Sequence, residues 1–567
     1  MKIKFCGAAE GITGSCHLIE TENCTFLLDC GMFQGSRKNE EQNKEAFPFD
    51  VNDIDFMLLS HAHVDHCGRI PLLVKRGYRN PIYCTDATSD LLDVMLKDCA
   101  YIQERETEYR NKKADRLGLK HVEPLYDVND VERALELRVP ILYDSVRAIN
   151  DTVSIRFIEA GHILGSAFTE IWIKENEKTT KIVFSGDIGV SNRPILRDPV
   201  YIKEADVVIM ETTYGNRIHP ENDKDVNDLK DTVIKTVKRG GSVIIPAFAV
   251  GRTQDIIYYF NRLFSENVEF AKIMKDIPFY VDSPMAKTAT EILKRNAQVF
   301  DDEARAQIMS GDNPVSFKNL KFVESVAESQ AINSNRAPKV IISASGMCEA
   351  GRIKHHLKHN LWDARNSVIF VGYQAEGTLG RRIVDGQTTV HIFGEPITVA
   401  AEIYDFKGFS AHADQEGLLR WISAFHPAPR QIFLVHGEKR SKLDFAALVQ
   451  QHLDLNPVVV SEVCSVDLNE GKLHMDEASK RTDEARKYDE LINMRRKLAD
   501  VHHTLERILY TTELAANESL TDERMRNLND IILELEKNSL NLGSEVTDIH
   551  ENSEALHNKE TKVENMQ

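Results

Sequence analysis

Six consecutive residues, His61-Ala62-His63-Val64-Asp65-His66, carry three imidazoles and a carboxylate. Imidazole nitrogen and carboxylate oxygen are preferred ligands of zinc. The apolar run before the segment, residues 54–59, reads as a strand. Ile70, Leu72, Leu73 and Val74, with Gly77 as a stop, read as a short helix after it. His61 and His63 can then point the same way from an extended chain, while Asp65 and His66 turn back at the helix start. One segment can therefore serve two adjacent ions. The competing reading is a polar surface loop that happens to hold three His, and the density of ligands weighs against it.

Four more candidates follow apolar runs and sit beside Gly: Asp29 in Leu28-Asp29-Cys30-Gly31, His162 in Gly161-His162-Ile163, Asp187 in Gly186-Asp187-Ile188 and His436 in Val435-His436-Gly437. Singly, each reads as well as a loop or buried polar residue. Their shared place at strand ends, where a sheet collects its loops, groups them.

The elements that must position these residues change texture along the chain. Short strands broken by Gly-rich turns open it, and a charge-rich, helix-periodic region from Leu91 to about Glu136 follows, expected outside the sheet. Strands return at residues 153–158, 169–174, 181–184 and 207–211. From about Thr212 strands and helices alternate, which predicts βαβ units and a parallel sheet. Short strands resume near Gly394 and run to about Leu468. Beyond, Tyr488, Leu491, Met494, Leu498, Val501, Leu505 and Ile508, then Met525, Leu528, Ile532 and Leu535, recur at helical spacing and predict a helical hairpin. A polar tail after Gly543 is expected to be disordered.

Composition narrows the class. At 567 residues, 42% hydrophobic and 28% charged, the chain reads as globular and exceeds one core. No apolar run is long enough to cross a bilayer, and the N-terminus lacks the stretch of a secretory signal. Nine scattered Cys argue against a disulfide framework and for a reducing cytoplasm. A net charge of −18 excludes coating nucleic acid by bulk charge but leaves room for a local basic groove.

Taken in order, these motifs resemble the metallo-β-lactamase superfamily, and more narrowly the β-CASP nucleases. Asp29, the His61–His66 cluster, His162 and Asp187 match the superfamily motifs in order. Glu211 in Met210-Glu211-Thr212, His412 in Ala411-His412-Ala413 and His436 match the three β-CASP motifs. The likeness is strongest to bacterial and archaeal relatives of the mRNA 3′-end-cleaving endonuclease. It covers about residues 1–465.

The resemblance implies an α/β (α+β) fold: an αββα sandwich with an inserted parallel-sheet α/β β-CASP domain and a C-terminal helical extension. The expected boundaries are 1–208 and 395–468 for the sandwich, 209–394 for the insert, 469–542 for the hairpin and 543–567 for the tail. It also implies two Zn2+ per chain, one held by His61, His63 and His162 and the other by Asp65, His66 and His436, with Asp187 bridging. Asp29 would orient a ligand His. The implied reaction is hydrolysis of RNA phosphodiester bonds by a metal-bridging hydroxide, leaving 3′-hydroxyl and 5′-phosphate ends. Endonuclease action is expected, with 5′→3′ exonuclease action left open. In the family a His at the place of His436 accompanies RNA. His412 would protonate the leaving oxygen with Glu211 holding its ring. Without the pattern, Glu211 reads as a solvated strand-end charge and His412 as a cap.

Substrate contacts are less marked. Ser345 with Arg352, and Arg252, lie between a strand and a helix, where backbone N–H groups can meet an anion. Lys354 adds charge, and Gly165 and Ser166 follow His162. The competing reading is that such cations are solvated and such glycines only turn the chain. Two other functions stay in view: a hydrolase of a small ester or thioester, and a non-catalytic scaffold. The C-terminal hairpin reads as an oligomerisation or partner surface, or as packing on its own core.

Overall fold

The computed structural model describes residues 1–475 except Ser36, Glu221, Glu376 and 469–471. The expected hairpin after residue 475 and the tail lie outside the described residues.

Two sheets face each other. The first has eight strands, in the order Lys472–Met475, Cys464–Asp467, Lys2–Phe5, His17–Glu20, Thr25–Leu28, Phe56–Leu58, Ile82–Thr85 and Arg138–Ile141. The second has seven: Val458–Val459, Gln431–Val435, Val207–Glu211, Lys178–Phe184, Ala167–Glu175, Val153–Glu159 and Arg147–Ala148. Their inner faces meet in one core, with Ile3, Phe5, Phe26 and Leu58 opposed to Ile155, Phe157, Ile171 and Phe184. Val207–Glu211 shows why its sequence is apolar throughout. Val207 and Ile209 face the inner core, while Val208 and Met210 face helices on the outside. A strand covered on both faces has no polar alternation to show.

The outer layer on the second sheet is made by the helices Gln415–Ser423 and Lys439–Leu453, through Leu418, Trp421, Ile422, Phe445 and Val449. The sequence reading expected only short strands there. The helical spacing of Leu418, Trp421 and Ile422 is short and lies between two real strands, which masked it. On the first sheet lie the helices Ile70–Lys75, Asp86–Leu117 and Val128–Glu136. The molecule is thus an αββα sandwich.

The third sheet is parallel throughout, ordered Leu320–Phe322, Phe279–Val281, Val340–Ser343, Val243–Pro246, Ser367–Phe370 and Glu402–Asp405. Its last strand lies beyond Gly394, where the sequence texture set the return to the sandwich. Sheet membership carries the insert on to Asp405, because Glu402–Asp405 pairs with Ser367–Phe370 rather than with the sandwich. Likewise Lys472–Met475 is a strand antiparallel to Cys464–Asp467, inside the span read as hairpin. None of the nine Cys is in a disulfide, and no described helix is long and apolar enough to cross a membrane.

Candidate metal centre and active site

The strand Phe56–Leu58 ends just before His61, and the helix Val64–Cys67 begins just after His63. His61 Nε2 and His63 Nδ1 stand 3.1 Å apart, as do His162 Nε2 and His63 Nδ1. Asp187 Oδ2 lies 3.3 Å from both His61 Nε2 and His162 Nε2. Four ligands about 2.0–2.1 Å from a zinc ion stand about 3.3 Å from one another in a tetrahedron. The four atoms are therefore spaced as the corners of such a site.

A second cluster adjoins it. His66 Nε2 lies 3.2 Å from His436 Nε2 and 3.2 Å from Asp187 Oδ1, and Asp65 Oδ2 lies 3.5 Å from His436 Nε2. Asp187 thus turns one oxygen to each cluster. Its Oδ1 is buried and accepts no hydrogen bond. A buried carboxylate oxygen without a donor is costly in a protein interior and is what a cation would satisfy. The donor set and spacing fit two divalent ions.

Protonation agrees with that fit at the first cluster, whereas at His66 in the second burial is outweighed by Asp187 and then Asp29, which raise its imidazole well above the usual range. Burial, and then neighbouring His61, push the His63 imidazole down to about 3. Burial also lowers His61 and His162. A neutral imidazole keeps the lone pair a metal needs. Tautomers are set from behind: His66 Nδ1 donates to Asp29 Oδ2 at 2.7 Å, and His162 Nδ1 donates to the Ala411 carbonyl at 3.2 Å. Both leave Nε2 facing the cluster. Asp29 is itself fully buried and accepts from Ser60 N at 2.8 Å and from the Ser15 and Ser60 hydroxyls at 3.0 Å.

Beside Asp187 stands a carboxylate–imidazole pair. His412 Nδ1 lies 3.1 Å from Glu211 Oε1 and 3.9 Å from Asp187 Oδ2. Burial alone would lower the His412 imidazole, but Glu211 and then Asp187 outweigh it and raise it to about 9. Glu211 is fully buried and accepts from Ile188 N at 2.6 Å and from Thr213 N at 3.2 Å. The reading of Glu211 as a solvated charge does not survive this burial.

Family models cover most of this architecture. Residues 10–247 match the metallo-beta-lactamase superfamily, 253–383 the Beta-Casp domain, and 396–460 the Zn-dependent metallo-hydrolase RNA specificity domain. A protein named Ribonuclease TTHA0252, from Thermus thermophilus, is 38% identical over 79% of this chain and 96% of its own. The chain belongs to the β-CASP branch of the metallo-β-lactamase superfamily. Two relatives from Methanocaldococcus jannaschii extend the comparison. Transcription termination factor FttA is 32% identical over 80% of this chain and 69% of its own, and an RNase J-like protein is 31% identical over 80% and 96%. The β-CASP enzymes are metal-dependent hydrolases, and this chain is one of them.

The β-CASP sheet treats the expected substrate contacts differently. Arg352 donates to Asp282 Oδ1 at 2.6 Å and to the Glu324 carbonyl at 2.6 Å. Lys354 reaches the Glu349 carbonyl at 3.1 Å and lies over the Phe393 ring. Ser345 binds Ala350 N and O, each at 3.3 Å. Arg252 is buried against Asp255 at 3.2 Å, with its Nε unpartnered. Gly165 and Ser166 hold the His162 loop. The Ser166 hydroxyl, 1% exposed, accepts from His162 N at 3.0 Å and Ile163 N at 3.2 Å, and the Gly165 carbonyl accepts from the Thr85 and Thr88 hydroxyls. Arg352 and Lys354 each have an internal partner, as a half-buried cation requires.

Two contributors were missed. Arg193 donates to the His162 carbonyl at 2.5 Å and pairs with Asp255, tying a ligand loop to the inserted domain. The Thr213 hydroxyl donates to Glu211 and lies 3.2 Å from His436 Nδ1. Thr213 stood two residues past Glu211, which was a usable signal. Arg193 had none, since its partners come from distant parts of the chain.

Proposed function

We propose that this chain is a two-zinc ribonuclease that hydrolyses RNA phosphodiester bonds and leaves 3′-hydroxyl and 5′-phosphate ends. The observation that carries the reading is Asp187, which faces both ligand clusters while the Glu211–His412 pair stands beside it. Asp187, with His61, His63 and His162 on one side and Asp65, His66 and His436 on the other, would hold the ions. Bound there, the ions lower the pKa of water and offset the charge of the phosphodiester.

The protein's own groups do the rest. Glu211 accepts a hydrogen bond from His412 Nδ1–H and holds the ring in register, so the protonated His412 gives its Nε2 proton to the leaving 3′ oxygen and keeps the one on Nδ1. Asp29 keeps His66 in the tautomer that offers Nε2. Relatives named as ribonuclease and RNase J-like protein, and the name of the RNA specificity model, support RNA as the substrate. Such a role is that of a cytoplasmic enzyme of RNA processing or decay.

The test is cleavage of end-labelled linear RNA and of circular RNA, by wild type and His412→Ala, with zinc measured on the same samples. Two zinc per chain and 5′-phosphate ends are expected. Cut circles establish endonuclease action. A 2′,3′-cyclic phosphate product would overturn the mechanism, because the ribose 2′-hydroxyl would then be the nucleophile.

A further inference from the structure

We infer that Phe248 is a nucleobase platform, on which a base next to the scissile phosphate stacks face-on. The inference rests on the ribonuclease reading and adds to it the element that recognises a nucleotide. Phe248 lies two residues past the strand Val243–Pro246, at the carboxyl end of the parallel sheet. Open α/β sheets bind ligands in the crevice at that end. The segment around it is buried, with Ala247 at 1%, Ala249 at 3% and Val250 at 5% exposure, yet Phe248 is 37% exposed. Its centroid stands 6.5 Å from that of His63, so the exposed ring adjoins the metal centre.

The ring is also held still. A Cβ at Gly346, past the neighbouring strand Val340–Ser343, would come within 2.9 Å of Phe248 Cδ2. The bare Cα of Gly346 therefore backs the ring, and Gln374 Nε2 fixes the Gly346 carbonyl at 3.0 Å. Thr253 N and Oγ1 donate to the Phe248 carbonyl at 3.1 and 2.7 Å. An aromatic ring that is backed, anchored and open beside a phosphodiester site suits a base of any identity, since every base has a π face. Of the expected substrate cations, Arg352 and Lys354 are held by internal partners, so stacking on Phe248 adds a recognition element at this edge that does not depend on them.

The experiment compares Phe248→Leu, which keeps apolar bulk, with Phe248→Trp, which keeps a π face. KM and kcat are read on a short RNA and on the same RNA abasic at either nucleotide flanking the cut. Phe248→Leu is expected to raise KM about tenfold with kcat within about twofold, and Phe248→Trp to restore it. One of the abasic substrates should raise the wild-type KM by a similar factor, and on it Phe248→Leu should cost nothing further. Gly346→Ala, which displaces the ring without removing it, should fall between. Methyl p-nitrophenyl phosphate, a diester without a base, should be turned over equally by all. The platform is overturned if Phe248→Leu matches wild type on RNA, or if its penalty persists on both abasic substrates. Wild type that hydrolyses the small diester but not RNA would instead sink the ribonuclease reading. Melting and zinc content on each variant separate misfolding from lost stacking.

Discussion

The sandwich side of the cleft and the parallel-sheet side use polar residues in opposite ways. At the metal centre, nitrogens and oxygens from four separate segments converge with one buried oxygen left without a donor. Across the cleft, Arg352, Lys354 and Ser345 have each found an internal partner. The metal centre keeps an oxygen available for something absent from the chain, whereas these three side chains, unlike the buried Nε of Arg252, are satisfied within it. Availability, rather than the presence of charge, marks the functional side.

The largest break in that comparison should come from Asp187→Ala. Asp187 serves both clusters, so both ions should weaken, with zinc falling below two per chain and RNA cleavage below about one-thousandth of wild type. Retention of two zinc would mean the clusters do not share this carboxylate. His412→Ala should separate chemistry from metal binding: zinc content stays at wild-type level while kcat falls by about 10²–10⁴. A parallel loss of zinc would make His412 a ligand instead. Asp29→Asn should be milder, weakening zinc about 10–100-fold, because an amide can still meet His66 but no longer fixes its proton. Competition with a chelator reads that directly.

The contrast also explains what was legible in the sequence. The ligands could be found because their chemistry restricts residue type and because they sit at strand ends beside glycine. The alternating βαβ order exposed the parallel sheet for a similar reason, since strands buried on both faces make unbroken apolar runs such as Val243–Pro246. The helices Gln415–Ser423 and Lys439–Leu453 were lost because their apolar faces are short and interleaved with strands. The internal partners of the expected substrate contacts were illegible for a different reason. A sequence shows that Arg352 is a cation but not that Asp282, seventy residues away, will claim it.

Arg352 gives the smallest expected effect on catalysis and the sharpest test of the distinction. Asp282 is fully buried and holds His356 Nε2 at 2.6 Å and Arg352 Nη1 at 2.6 Å, with Ser329 also donating. Burial would raise its carboxyl, but His356, Ser329 and Arg352 outweigh burial and hold it below the usual carboxylate range. A carboxylate whose folded pKa is depressed contributes stability above its unfolded pKa and loses it as pH falls through the folded one. Arg352→Ala removes one of the three compensating groups, so the folded pKa rises and the acid unfolding midpoint should move to higher pH. At neutral pH the loss should fall at the lower end of the about 3–5 kcal/mol that follows from breaking a buried pair, because His356 remains. KM for RNA should stay unchanged. A raised KM with an unmoved acid midpoint would return Arg352 to the substrate side, whereas lost stability at constant KM shows that this edge spends its charge on the fold.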